Sequence, residues 1–144
     1  LTNEDYEFNV RLRRLGGRIW LDPEIRSVYF ARSSLKELAR QYARYGFWKA
    51  RMLRRNPGSL RWRQALPPLF ILSLLVLLLL APWWSLAGWL FVLESSLYIL
   101  VLLLAGMQMA WKRRDLALVA GIPLAIASMH FAWGGAFLWS LIFR

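Results

Sequence analysis

The pattern of apolar and polar positions divides the chain near residue 66. From Pro67 the sequence is hydrocarbon-like for about 44 residues, interrupted by Pro82, Trp83-Trp84, Glu94 and Gln108. A bilayer span takes roughly 20 apolar residues, so this stretch predicts two helices, near 66–82 and 86–110, joined by a Trp-rich turn at one interface. Lys112-Arg113-Arg114 follows, and a third span is predicted over 116–143, where Gly121, Pro123 and Gly134-Gly135 offer places to bend. Under the positive-inside rule, the basic run 51–63 and the cluster 112–114 share the cytoplasmic side. Residues 1–63 then face the cytoplasm, and Arg144 emerges on the far side.

Upstream of the spans the pattern changes to amphipathic. Residues 3–15 carry helix punctuation: Thr2 or Asn3 as cap, acids in the first turn, Arg11, Arg13 and Arg14 in the last, and Gly16-Gly17 as the stop. The segments RIWL (18–21) and IRSVYF (25–30), around Asp22-Pro23, are rich in β-branched and aromatic residues and predict two short strands. A second helix is predicted from the capping box Ser34-x-x-Glu37 to Gly46 or on to Arg55, before Asn56-Pro57-Gly58. Leu35, Leu38, Ala39 and Tyr42 share one of its faces. Gln41, Arg44, Tyr45 and Trp48 fall at i, i+3, i+4 and i+7 and form another.

Charge follows the same division. Residues 1–66 hold 15 Lys/Arg against 6 Asp/Glu, and residues 67–144 hold 4 against 2. Within 26–63 there are 11 basic residues and one acid, Glu37, so this stretch attracts polyanions such as lipid headgroups or nucleotide diphosphates. Its mixture of cations with Trp48 and Trp62 matches a segment lying on a membrane surface. Nucleic acid is disfavoured, because the basic run abuts a span instead of forming a reading module. Cysteine is absent and His130 is the sole histidine, which excludes disulfides, Cys-ligated metals and a His-based zinc site. Inside the spans, Glu94 and His130 are costly enough to face other helices, and a Glu94–His130 hydrogen-bonded pair is one expected arrangement.

Two groups of residues can carry chemistry. Glu4 and Asp5 in a first helical turn are stabilised by the macrodipole at about 0.3–1 kcal/mol each, so a well-charged cap explains them without any catalysis. The Gln41, Arg44, Tyr45, Trp48 stripe reads equally well as a headgroup-facing side. Its alternative is a diphosphate site, in which a guanidinium neutralises the leaving group, an amide orients it and aromatic rings stack on sugar.

The order NEDYE, GGRIWLDPEIRSVYFARSSL, QYARYGFWKAR, basic linker, spans and terminal HFAWGGAF resembles the C-terminal part of membrane-bound family 2 glycosyltransferases, of the succinoglycan or exopolysaccharide-biosynthesis type. The resemblance implies a mainly α membrane protein with three parts. Residues 1–32 would be the C-terminal remnant of a GT-A α/β catalytic domain, 33–65 basic interfacial helices, and 66–144 the transmembrane region. By the same resemblance Asp5 is the general base, supported by Glu4. Gln41-x-x-Arg44-Tyr45 matches the family's Gln-x-x-Arg-Trp motif, with Tyr45 in place of Trp, and holds the diphosphate or acceptor end. Trp48, one turn on, supplies stacking surface. The donor is then a nucleotide sugar and the acceptor a lipid-linked saccharide among membrane lipids of a bacterial or archaeal plasma membrane. The family's divalent metal, Mg or Mn, is held by an Asp-x-Asp motif that these 144 residues lack, so its ligands are expected outside the chain, which reads as a fragment. A non-enzymatic membrane anchor with a polybasic arm is the alternative that the composition alone allows.

Overall fold

The computed structural model describes residues 4–143, apart from the side chains of Glu4 and Tyr6. The expected caps Thr2 and Asn3, the Glu4 carboxylate and Arg144 lie outside the described residues. Five helices run in order: α1 (Glu4–Arg14), α2 (Leu35–Arg55), α3 (Trp62–Leu80), α4 (Ser85–Arg113) and α5 (Leu118–Ile142). The last three are each long and apolar enough to cross a bilayer, which makes this a membrane protein.

Helix ends follow the punctuation in the sequence. α1 closes in a Schellman arrangement: Gly16, at φ +80°, donates to the Arg13 carbonyl, and Gly17 donates to that of Leu12. α2 starts at Ser34, whose Oγ accepts from the Glu37 N–H at 3.2 Å. The reciprocal half of the predicted capping box is replaced, because the Glu37 carboxylate accepts from Ser33 Oγ at 3.3 Å. α3 begins at Trp62, four residues before the predicted start. There Gln64 Oε1 accepts from the N–H of Arg61, so the helix is initiated ahead of Pro67-Pro68. Arg114, at φ 54°, ends α4 in the left-handed region.

The predicted strands are a correction. Residues 18–21 and 25–30 lie in no strand, and no strand occurs among the described residues. A strand needs a partner for its ladder hydrogen bonds, and no described segment lies alongside to supply one. Trp20, Leu21, Val28 and Phe30 are left more than four-fifths exposed. The described residues are therefore all-helical where they have regular structure.

α3 and α4 form an antiparallel hairpin. Phe70 stacks on Tyr98 with ring centroids 4.4 Å apart, and one turn further Ser73 Oγ donates to Glu94 Oε1 at 2.6 Å. α5 packs on this hairpin. Its Val119 and Pro123 meet Gly106 of α4, where an added Cβ would lie 2.7 Å from the Val119 carbonyl oxygen and 3.0 Å from Pro123 Cδ. It reaches Pro67 of α3 only at Gly134, where a Cβ would lie 2.8 Å from the Pro67 backbone. Between those contacts Tyr98 of α4 meets His130 and Phe131. From Gly106 to Tyr98 is about 12 Å along α4, and from Val119–Pro123 to His130–Phe131 about 14 Å along α5. α5 therefore runs antiparallel to α4 with a modest tilt.

The second buried contact of α5 is with α2. A Cβ at Gly46 would overlap the Trp133 carbonyl, and Arg54 Nη2 donates to the carbonyls of Ser140 and, at 2.8 Å, Leu141. The two contacts advance together along both helices, so α2 and α5 run in the same direction. Arg54 thus satisfies carbonyls in the last turn of α5, which have no partner within the helix, and places a cation at its negative end. This arrangement explains why α2 continues past Gly46 to Arg55. Glycine costs about 1 kcal/mol in a helix relative to alanine, and here it permits backbone-to-backbone approach.

The glycines separate into two testable groups. Gly46→Leu should detach α2 from α5, seen as proteolytic cleavage in residues 55–61 that the parent protein resists. Gly46→Ala, by overpacking, should cost about 1–3 kcal/mol. Gly121 has nothing within 4 Å of its added Cβ. Gly121→Ala should leave the unfolding midpoint in detergent unchanged or higher, and a loss equal to that of Gly46→Ala would contradict the packing.

Lys49 gives a pH signature of the same docking. It is 3% exposed and its Nζ donates to the Ser59 carbonyl at 2.9 Å. Burial, and secondarily Arg61, pull its pKa from the ordinary 10.5 to about 8. The unfolded chain keeps this proton to higher pH than the folded one, so the cost of burying the charge is fully present below about 8. Stability from this group rises as pH climbs from about 8 to about 10.5. Unfolding midpoints taken between pH 7 and 10.5 should rise in the parent protein relative to Lys49→Met, with the difference flat below pH 8.

Candidate functional site

The centre of the candidate site is Gln41, in the second turn of α2 and only 7% exposed. Its Oε1 accepts from Arg32 Nε at 2.8 Å, and its Nε2 donates to the Tyr45 hydroxyl at 2.8 Å, with the Tyr29 hydroxyl at 3.5 Å. The i, i+4 spacing of Gln41 and Tyr45 places both on one helix face, which is why the amide reaches the phenol. Arg32 and Tyr29 come from the extended stretch before α2. They cover the amide and hold that stretch against the helix. Tyr42 packs edge-on to Tyr45 with centroids 5.9 Å apart. Its hydroxyl pKa is raised by burial, and further by Tyr29 and Tyr45.

The other members of the stripe are presented differently. Arg44 is exposed, so its guanidinium faces solvent beside the Gln41 cluster. Trp48 is half-buried and packs edge-on to Phe47 at 5.8 Å. Arg51 covers both rings, 4.6 Å from the Phe47 centroid and 5.4 Å from that of Trp48, a cation–π arrangement. α2 therefore bears a cationic surface with aromatic footing, suited chemically to a phosphate or diphosphate next to a sugar.

Asp5 lies in the first turn of α1 and is exposed. No hydrogen bond or ion pair among the described residues joins it to the Gln41 cluster. α1 is tied to the rest through its other end, where Arg14 donates to Asn56 Oδ1 at 2.8 Å and to the Pro57 carbonyl at 2.9 Å. This clamp holds α1 to the α2–α3 linker and leaves the carboxylate of Asp5 accessible. The Glu4 side chain lies outside the described residues. Among the described residues no three His, Cys, Asp or Glu side chains converge as a metal site.

Sequence reasoning missed Arg32, Tyr29 and Arg54. Nothing local marks Arg32 as the partner of Gln41, since it is one of many arginines in a basic stretch. The Glu94–His130 pair is also a correction. Glu94 pairs with Ser73 of α3, and His130 Nδ1 lies 3.1 Å from the Tyr98 hydroxyl of α4. Each costly polar group is met by a small or phenolic hydroxyl on the neighbouring helix, as membrane interiors require.

Comparison with known proteins bears out the resemblance read from the motifs. No family model and no solved structure matches the chain. A dolichyl N-acetyl-alpha-D-glucosaminyl phosphate 3-beta-D-2,3-diacetamido-2,3-dideoxy-beta-D-glucuronosyltransferase from Methanococcus voltae is 28% identical over 130 residues, covering 90% of this chain and 36% of that protein. Succinoglycan biosynthesis protein ExoA from Rhizobium meliloti is 32% identical over 139 residues, covering 94% of this chain and 39% of that protein. Over nine-tenths or more of its length the chain is thus similar to parts of a glucuronosyltransferase and a succinoglycan biosynthesis protein, while spanning less than two fifths of either.

Proposed function

We propose that this chain forms the acceptor-side and membrane portion of an inverting family 2 glycosyltransferase. In this reading it moves a sugar from a nucleotide sugar to a polyprenyl-diphosphate-linked saccharide in polysaccharide biosynthesis. The observation that carries the proposal is the likeness to a sugar transferase and an exopolysaccharide-biosynthesis protein over nearly all of the chain. The three apolar helices agree with an acceptor held in a membrane. The donor nucleotide and its divalent metal would be held by residues beyond this chain, and residues 1–63 would face the cytoplasm of a bacterial or archaeal cell.

In this reading the Asp5 carboxylate takes the proton of the acceptor hydroxyl as that oxygen attacks the anomeric carbon. The bond from that carbon to the nucleoside diphosphate breaks, and the configuration inverts. Glu4 supports the base. The exposed Arg44 guanidinium neutralises diphosphate charge, and Tyr45 and Trp48 border the sugar. Gln41, with its oxygen taken by Arg32 and its nitrogen by Tyr45, positions those two side chains. The engagement of Gln41 within the protein also favours the second reading, a non-enzymatic membrane anchor or partner-binding subunit, in which the cluster only stabilises α2.

Substitutions at two positions separate these readings. Asp5→Asn in the full-length protein should lower transfer of labelled sugar to a lipid-linked acceptor by about 10²–10⁴-fold, with membrane insertion intact. Unchanged transfer would remove the base assignment. Gln41→Leu leaves Arg32 and the Tyr45 hydroxyl without their shared partner and should destabilise by about 1–3 kcal/mol. In an enzyme it should also raise KM for the acceptor or donor, which Gln41→Glu should partly restore through Arg32. An anchor would show the stability loss alone.

A further inference from the structure

A groove lies between α3, α4 and α5. Its wider part is a cavity of about 460 Å³ whose walls are almost wholly apolar, with Phe70, Leu102, Leu124, Ala127 and Phe131 among them. Its narrower part, about 250 Å³, is lined by Arg63, Leu66, Pro67, Phe70, Tyr98 and His130. The two share Phe70 and Tyr98, so they form one groove. It has a cationic mouth beside the start of α3 and an apolar run between the spans.

The chemistry of the mouth is specific. Among the described residues that line it Arg63 is the one permanent charge, and Glu94, the acid within the spans, lines the adjoining cleft across Leu66 and Phe70, where its Oε1 accepts from Ser73 Oγ. Tyr98 takes Nδ1 of His130, which leaves Nε2 for a ligand. An anionic oxygen cluster therefore finds a guanidinium and an imidazole and no carboxylate. Behind it, Phe70, Tyr98 and Phe131 form a contiguous aromatic wall, with centroids 4.4 to 6.2 Å apart, against which a hydrocarbon chain can lie. One narrow mouth opening on one apolar run suits one chain, not the two of a glycerophospholipid.

We infer that this groove seats a single-chain lipid phosphate, with its phosphate on Arg63 and His130 Nε2 and its chain along Phe70, Phe131 and Leu124. As the seat of the acceptor's lipid part, it rests on the glycosyltransferase reading; as a lipid-phosphate site, it stands on the groove alone. The headgroup then sits where α3 leaves the basic segment 51–63, so the saccharide beyond the phosphate extends toward α2.

The test uses the protein in phosphatidylcholine nanodiscs. A polyprenyl phosphate, the corresponding polyprenol and phosphatidylglycerol are titrated, and bound lipid is counted by native mass spectrometry. The parent protein should retain the polyprenyl phosphate at least tenfold better than either competitor. Arg63→Gln should erase the preference over polyprenol, and Arg63→Lys should keep most of it. Ala127→Trp, which fills the apolar run, should weaken both single-chain lipids, with helix content by circular dichroism confirming that the variant is folded. Equal binding of polyprenol and polyprenyl phosphate, or displacement by equimolar phosphatidylglycerol, would overturn the inference. A preference that holds while the full-length protein, donor-binding part included, shows no sugar transfer would leave the groove standing and remove the glycosyltransferase reading. Transfer with an unchanged lipid KM in Arg63→Gln would do the reverse.

Discussion

Close backbone contact along α5 is the constraint on which the rest of the structure depends. Three glycines, Gly46 on α2, Gly106 on α4 and Gly134 on α5 itself, each stand where a Cβ would press into backbone or side chain of a neighbouring helix. In a bilayer, lipid is as apolar as leucine, so burial of apolar surface between spans gives little drive. Helices hold together through close packing and polar pairs. α5 collects both. It touches α3 through Pro67, α4 through Gly106 and the His130–Tyr98 pair, and α2 through Gly46 and Arg54.

The consequence for function is positional. A helix with as many cations as α2 cannot sit in hydrocarbon, and one that ran free on the membrane surface would leave the Gln41 cluster unfixed relative to the spans. Docking α2 along the second half of α5 fixes it, and keeps that half of α5 at the membrane surface on the side of residues 51–63. The Arg14 clamp onto Asn56 and Pro57 does the same for α1, because it holds the helix that carries Asp5 to the linker that joins α2 to α3. The candidate chemistry is thereby referenced to the membrane helices at two points.

Much of the architecture was legible in the sequence, and what was not has physical causes. Gly16-Gly17, Ser34 and the turn Pro82-Trp83-Trp84 mark helix ends through local backbone chemistry, which a sequence carries directly. The apolar lengths specified three helices to within a few residues. The strands at 18–21 and 25–30 failed, since propensity describes a strand's fitness for a sheet and not the presence of a partner. The Glu94–His130 pair failed for a related reason: which helix faces meet depends on how α3, α4 and α5 pack, and periodicity within one helix says nothing of it. Gln41 and Tyr45 were placed on one face correctly, but the claim of Arg32 on Gln41 is a contact between segments and left no local mark. Asp5 and Glu4 drew their catalytic reading from the resemblance, because their own seventeen-residue surroundings specify only a well-charged helix.

The docking of α2 along α5 in the same direction is the central structural claim, and the absence of native cysteine makes it accessible to thiol chemistry. Cysteines placed at Arg54 and Leu141 should be joined in native membranes by a short bifunctional thiol reagent. Cysteines at Leu38 and Leu141 should stay unlinked, since residue 38 lies about 24 Å back along α2. Cross-linking of the Leu38–Leu141 pair in place of the Arg54–Leu141 pair would contradict the account.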